Sequence, residues 1–331
     1  MMQILLVGSG AGAAAALLFA SMASGSLLAL LLLYLSPLPI MIAALGWSHW
    51  AGLVAALTAA TTLGSLFGIV FFAACLLGMA IPAWWLAYLA LLARPSHEPA
   101  GVEWYPIGRI VVWAALLGAA IASLVAFLLI ATDQAALRTA LRKAMDEFIR
   151  GQILAPPGGA TLGEDQRDRL LDMFLVLLPP AVAMSFLLLN SINLWLAGRV
   201  VLVSGRLPRP WPNVSTMSLP LAAPGLLAVS VAGSFVPSVI GADDLVATLF
   251  SNLAAPLLMA HLMVGFAVVH ALTAGINARI FILAGMYTAF LLLSARTSLA
   301  VFALAALGLA ETLFGIRARL AAKRLPPGQR T

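Results

Sequence analysis

Charged residues are scarce in this sequence, and their scarcity excludes a water-soluble globular fold. Only 9% of the 331 residues are Asp, Glu, Lys or Arg, whereas 63% are hydrophobic. Ordinary soluble domains carry about 25% charged and about 45–50% apolar residues. A soluble chain of this length cannot hide so much apolar surface, but a lipid bilayer accommodates it.

The first quarter of the chain lacks charge altogether, since no Asp, Glu, Lys or Arg occurs from Gln3 to Ala93. A transmembrane helix needs about 20 apolar residues, so this stretch has room for about four spans. Its residues form continuous runs of Leu, Ala and Val, whereas the strands of a membrane barrel alternate. We therefore predict an all-α fold, a polytopic transmembrane helical bundle of about 8–10 spans in a single membrane domain, 1–331.

Motifs that carry chemistry are also missing. The single cysteine, Cys75, lies in an apolar run and forms neither a disulfide framework nor a metal set. We find no His-Glu-x-x-His, no Gly-x-Ser-x-Gly, no pair of carboxylates expected to face a common cleft and no Walker A motif. The scattered basic residues form no nucleic-acid signature. The sequence therefore predicts no enzyme, no metal, no cofactor and no nucleic-acid partner, and any ATP dependence requires another subunit.

Hydropathy places about ten spans along the chain. Pro37 and Pro39 are expected to break the second span, because proline lacks a backbone donor, and this leaves the span count open. The predicted boundaries are 4–22, 26–45, 50–65, 66–93, 107–131, 172–197, 219–240, 246–272, 280–295 and 298–316.

Two extramembrane pieces remain. In 133–169, apolar residues recur at helical spacing with charges on the other faces, which predicts an amphipathic helix on the membrane or on the bundle. The segment 317–331 is predicted to be a basic cytoplasmic tail. Short cytoplasmic loops of membrane proteins are enriched in Lys and Arg, and long loops count less in this positive-inside rule. With both termini inside, 11 of the 18 Lys and Arg residues lie on the cytoplasmic side, and six of the other 7 lie in the long 133–169 loop.

Small residues recur every four positions along the first span, at Gly8, Gly12, Ala16 and Ala20. Such a face lets two helix backbones approach closely in lipid. Its partner is either another helix of this chain or another membrane subunit.

Four polar residues within the spans are the candidate substrate-binding set: Asn190, Asn193, His270 and Glu311. The two asparagines lie three residues apart and share a helix face. A carboxylate inside a membrane is expensive and points to function by default. Each residue also has a structural alternative. For the two amides it is an interhelical hydrogen bond, and for His270 it is a structural role with its ring nitrogens hydrogen-bonded within the protein. For Glu311 it is an ion pair with Arg279 or Arg317.

Several stretches resemble the YybS-like family of uncharacterised bacterial membrane proteins. They are residues 5–26, 45–50, 82–85, 104–106, 265–270 and 307–317. That family is distantly similar to the substrate-binding subunits of energy-coupling-factor vitamin transporters. The resemblance implies a helical bundle of the bacterial cytoplasmic membrane that binds a small molecule. Those subunits dock on their membrane partner through small residues of the first helix, a role that Gly8, Gly12, Ala16 and Ala20 match.

We therefore expect a small-molecule transporter or a substrate-binding membrane subunit, whose small molecule the sequence does not identify. The alternative is a non-enzymatic membrane scaffold or envelope-assembly protein. A polar cavity lined by the candidate residues favours the first interpretation. A fully packed bundle with those residues paired to each other favours the second.

Overall fold

The computed structural model describes residues 1–95, 101–131, 136, 138–143, 163–240 and 244–324. Within these ranges the fold is all-α apart from one small hairpin, as predicted. Its helices are α1 (Met2–Ala20), α2 (Leu27–Tyr34), α3 (Leu38–Gly46), α4 (His49–Phe67), α5 (Ile69–Cys75), α6 (Ile81–Leu91), α7 (Ile107–Ala131), α8 (Glu164–Val203), α9 (Ala222–Ile240), α10 (Asp244–Leu272), α11 (Arg279–Ser294), α12 (Leu299–Phe314) and α13 (Ile316–Arg324).

The described helices account for every predicted span. Seven apolar helical stretches are long enough to cross a membrane, and three shorter ones coincide with the predicted seventh, ninth and tenth spans. The chain is therefore a multi-pass helical membrane protein.

The proline break in the second span is confirmed. α2 ends at Tyr34 and α3 begins at Leu38, with Pro37 as its N-cap and Pro39 in its first turn. Proline is tolerated in a first helical turn, where the backbone N–H groups have no intrahelical acceptor. Pro82 has a related effect, because the helix before it opens into a π turn, Leu76–Ala80, which continues into α6.

Alanine dominates the interior of the bundle, while many large apolar side chains lie on its outside. In lipid, burial between helices gains little from the hydrophobic effect, so close contact of small residues holds helices together. Two helix pairs show this close contact. α1 packs on α4 through its small-residue face, and α10 crosses α12 where Gly265 and Gly308 meet backbone atoms of the other helix.

The hairpin was not predicted. β1 (Ala93–Pro95) pairs antiparallel with β2 (Val102–Trp104), and Arg94 bonds Glu103 across it at 2.8 Å. It lies between α6 and α7 at one end of the bundle.

Most of the predicted amphipathic segment 133–169 lies outside the described residues. Of its described residues, 138–143 are helical and lie beside the start of α8. Arg138 pairs with Asp172 at 3.0 Å, and Arg142 pairs with Asp168. α8 begins at Glu164, so the sixth span extends into the segment that the sequence assigned to the loop. Of the basic tail, residues up to 324 are described and are helical, and 325–331 lie outside the described part.

Candidate binding cavity

A cavity of about 340 Å³ lies between α6, α7, α8, α10 and the segment 204–221 that connects α8 to α9. Its volume is within the range of small-molecule sites, about 300–1,000 Å³. Most of the wall is apolar. The lining side chains include Leu86 of α6, Ile110 and Ala114 of α7, and Met263 of α10.

The α8 wall of the cavity borders the outer surface of the bundle. Leu188, Ile192 and Trp195 line the cavity and are also exposed, by 40%, 43% and 50%. Their spacing places them on one face of the helix. The cavity is therefore open along this face of α8.

Asn190 is the one member of the predicted site that lines the cavity. Its amide nitrogen donates to the Phe186 carbonyl at 3.0 Å, in its own helix. Its Oδ1 is buried and has no partner among the described residues. A buried carbonyl without a partner loses its hydration and gains nothing in return. Asn190 is thus a cavity-lining residue whose carbonyl oxygen lies buried behind the cavity surface.

Arg209 brings a positive charge to the same cavity. Its Nη1 donates to the Ala90 carbonyl at 3.0 Å, and its guanidinium lies 5.8 Å from the centre of the Trp104 ring. The Nε–H is buried and has no partner in the described part of the chain. Burial lowers the pKa of Arg209 from its ordinary value, but an arginine remains protonated at neutral pH.

The segment 204–221 is held in place by the end of the last transmembrane helix. The Arg317 guanidinium donates to the carbonyls of Ser215 and Met217, the latter at 2.8 Å. Glu311 in turn binds Arg317, with 2.8 Å between Oε1 and Nε and 2.9 Å between Oε2 and the backbone nitrogen. Met217 lines the cavity, so this ion pair fixes one of its walls.

The other predicted site residues do not line the cavity. Asn193 donates at 2.8 Å to the carbonyl of Leu189 and to that of Tyr34, which is the last residue of α2 before the break. It therefore joins two helices. His270 contacts the Tyr287 hydroxyl at 2.7 Å, and Glu311 pairs with Arg317. The structure thus gives His270 and Glu311 separate partners, and no hydrogen bond joins them within the described ranges.

The small-residue face of α1 is covered within the chain. Gly8, Gly12 and Ala16 are buried and Ala20 is half-buried. A Cβ on Gly8 would lie 2.7 Å from Val54, and one on Gly12 would lie 2.5 Å from the Ala55 carbonyl oxygen. The partner of this face is α4 of the same chain, so the first of the two alternatives for its partner is the one observed.

Sequence reasoning missed Arg209. The stretch Leu207–Pro212 lies between the predicted sixth and seventh spans and contains three prolines, so no site was expected there. The signal in the sequence was an arginine between two prolines, two residues before Trp211. Within the described residues no cluster of His, Cys, Asp or Glu is suited to hold a metal ion.

Comparison with known proteins gave no match: no family model, no curated protein and no solved structure is significantly similar to this chain. The resemblance to the YybS-like family therefore stays a prediction.

Proposed function

We propose that this protein is a substrate-binding membrane protein, a small-molecule transporter or the binding subunit of one, and that its substrate occupies the cavity between α6, α7, α8 and α10. The observation that carries the proposal is the cavity itself. It is an apolar recess of about 340 Å³ between ordered helices, open toward the outside of the bundle and within the size range of small-molecule sites.

The chemistry of the wall defines the substrate in general terms. An apolar wall with few polar groups binds an apolar body and fixes its orientation through those groups. Asn190 and Arg209 are the two lining residues with an unused buried polar atom. His270 and Glu311 act in this proposal as structural residues, because both have protein partners.

We place the protein in the bacterial cytoplasmic membrane with both termini in the cytoplasm. Three arginines of the stretch 199–209 lie over tryptophan rings at one end of the bundle: Arg199 over Trp211 at 5.0 Å, Arg206 over Trp47 at 4.6 Å, and Arg209 over Trp104. Tryptophan is enriched at the membrane interface, and arginine on its cytoplasmic side. In this orientation the cavity opens near the cytoplasmic headgroups.

The test is native mass spectrometry of the protein purified from membranes in mild detergent. We expect a bound small molecule in the wild-type protein and its loss in A114F, which fills the cavity from α7. A120F is the matched control, since Ala120 is exposed on the same helix. L188W is a second blocking variant at a position that tolerates bulk, because Leu188 is already 40% exposed. Equal ligand occupancy in all four proteins would exclude the cavity as the binding site.

The scaffold alternative rests on a different observation. α11 has no buried residue, although it is apolar over most of its length. A helix that packs so little against its own chain is available to another membrane protein. A wild-type protein that carries no ligand but is retained in a larger membrane complex, and loses it when α11 is altered, would favour this alternative.

A further inference from the structure

We propose that the ligand of this cavity is a single-chain anionic amphiphile, such as a fatty acid, whose acidic head pairs with Arg209 and whose chain lies along the apolar wall. The inference rests on the proposed function and assigns the chemical class of its substrate.

The first argument is an unbalanced charge. No carboxylate pairs with Arg209 within the described part of the chain. Its protein partners are the Ala90 carbonyl and the face of the Trp104 ring, which are both neutral. The guanidinium is half-buried and lines the cavity, so an anion bound there would pair with a cation that has no carboxylate partner. Guanidinium groups match carboxylates and phosphates in geometry.

The second argument is the apolar wall. From Arg209 the cavity extends along side chains such as Leu86, Ile110 and Met263. An acyl chain buried there loses little relative to the bilayer, because both surroundings are apolar. A soluble anion such as inorganic phosphate leaves this wall without a partner, which is why an amphiphile fits better than a small ion.

The third argument is access. The exposed residues Leu188, Ile192 and Trp195 place the cavity next to lipid. Arg209 lies at the end of the bundle that carries the Arg–Trp pairs, where lipid headgroups reside. A single-chain amphiphile in the bilayer therefore has its head and its chain at matching depths.

The test compares three molecules that share one chain: decanoic acid, 1-decanol and decylamine. Radiolabelled decanoic acid is bound to the full chain in nanodiscs of a zwitterionic lipid, with empty nanodiscs as background, and the three unlabelled molecules compete for it. We expect decanoic acid to compete at least tenfold better than decanol, which corresponds to about 1.4 kcal/mol, and decylamine to compete least. Equal competition by decanol would overturn the anionic head but leave the cavity function intact.

The variants R209Q and R206Q form a matched pair. Arg206 belongs to the same segment and lies over Trp47, but it does not line the cavity. We expect R209Q to lose at least tenfold in decanoic acid affinity while its decanol affinity is unchanged, and R206Q to bind as the wild type does. R209K keeps the positive charge but lacks the planar guanidinium donors, so we expect it to recover part of the lost decanoic acid affinity. If R209Q and R206Q bind decanoic acid equally, Arg209 is not the anchor.

A further experiment tests whether the anionic head belongs to a free acid or to a membrane phospholipid. Nanodiscs that contain phosphatidylglycerol test whether a membrane lipid occupies the same place. Loss of decanoic acid binding in these nanodiscs would assign the site to an anionic phospholipid, and retention would assign it to a free single-chain acid. If no specific decanoic acid binding occurs in either nanodisc while A114F still abolishes ligand occupancy in native mass spectrometry, the amphiphile is wrong and the cavity function stands.

Discussion

At the scale of single residues, the Glu311–Arg317 pair shows how a carboxylate is tolerated in a transmembrane helix. Gly315 adopts a left-handed conformation with φ of 60° and ends α12, which brings the chain back toward Glu311. Both carboxylate oxygens then receive donors from Arg317. The side chains of Glu311 and Arg317 are only 8% and 16% exposed, so the pair is shielded from water. Gly315 thus ends the helix, and Arg317 holds the cavity wall through the carbonyls of Ser215 and Met217.

We expect E311Q to lower the free energy of unfolding by about 1.5–3 kcal/mol, because hydrogen bonds to a charged group are lost in a shielded site. E103Q is the control, since the Arg94–Glu103 pair is 75% and 51% exposed. Such an exposed pair contributes about 0–1 kcal/mol. Thermal unfolding in detergent, followed by tryptophan fluorescence, measures both variants. Equal melting temperatures for the two would mean that the shielded pair does not hold the segment 204–221.

At the scale of helices, α1 is held against α4 by the close contact of small residues. Its buried face consists of glycine and alanine, and it meets the α4 backbone at Ala51 and Ala55. The opposite face carries leucines such as Leu6 and Leu17, which are 68% and 73% exposed. Large side chains therefore face lipid and small ones face protein, as expected where close approach drives association.

G12L should separate α1 from α4, because even a Cβ at this position would lie 2.5 Å from the Ala55 carbonyl oxygen and 2.6 Å from Thr58. G10L lies on the same helix with no atom within 4 Å of its Cβ, and we expect it to fold normally. Replacing a helical glycine there should even stabilise the helix by about 0.5–1 kcal/mol. The yield of monodisperse protein in size-exclusion chromatography and its melting temperature check both variants. Normal folding of G12L would show that the α1–α4 contact does not hold the bundle.

At the scale of the whole molecule, the two ends of the bundle differ. One end carries the hairpin, the three Arg–Trp pairs and the Glu311–Arg317 pair. The connection between α7 and α8 leaves from the other end. In the proposed orientation, an even number of crossings returns the C-terminus to the side of the N-terminus, and arginine-rich short loops favour the cytoplasm for that side.

Reporter fusions test this topology. A fusion at Thr331 should report the cytoplasm, and an insertion within residues 155–160 should report the opposite side. The same fusion placed at Asn213 should agree with Thr331, since the segment 204–221 contacts Arg317. A C-terminal fusion that reports the outside, or agreement of Thr331 with 155–160, would contradict the proposed orientation.

The amino-acid sequence was sufficient to predict the class of the protein, the approximate positions of its spans and the face by which α1 packs. These features depend on local information: a charge-free run, the lack of a donor in Pro37, and the spacing of Gly8 and Gly12. It also indicated that Asn193 and Glu311 need partners, because amides and carboxylates in an apolar medium always do.

The partners of these residues and the position of the cavity depend on how the helices pack, so they became visible in the three-dimensional fold. In a soluble helix the apolar face marks the interior, but in a membrane both the lipid-facing and the protein-facing sides are apolar, so periodicity does not tell them apart. The cavity arises where four helices from distant parts of the chain fail to fill the space between them. Arg209 became part of it because the Ala90 carbonyl, 119 residues away, and the hairpin's Trp104 hold its side chain there, and no local pattern encodes such a contact.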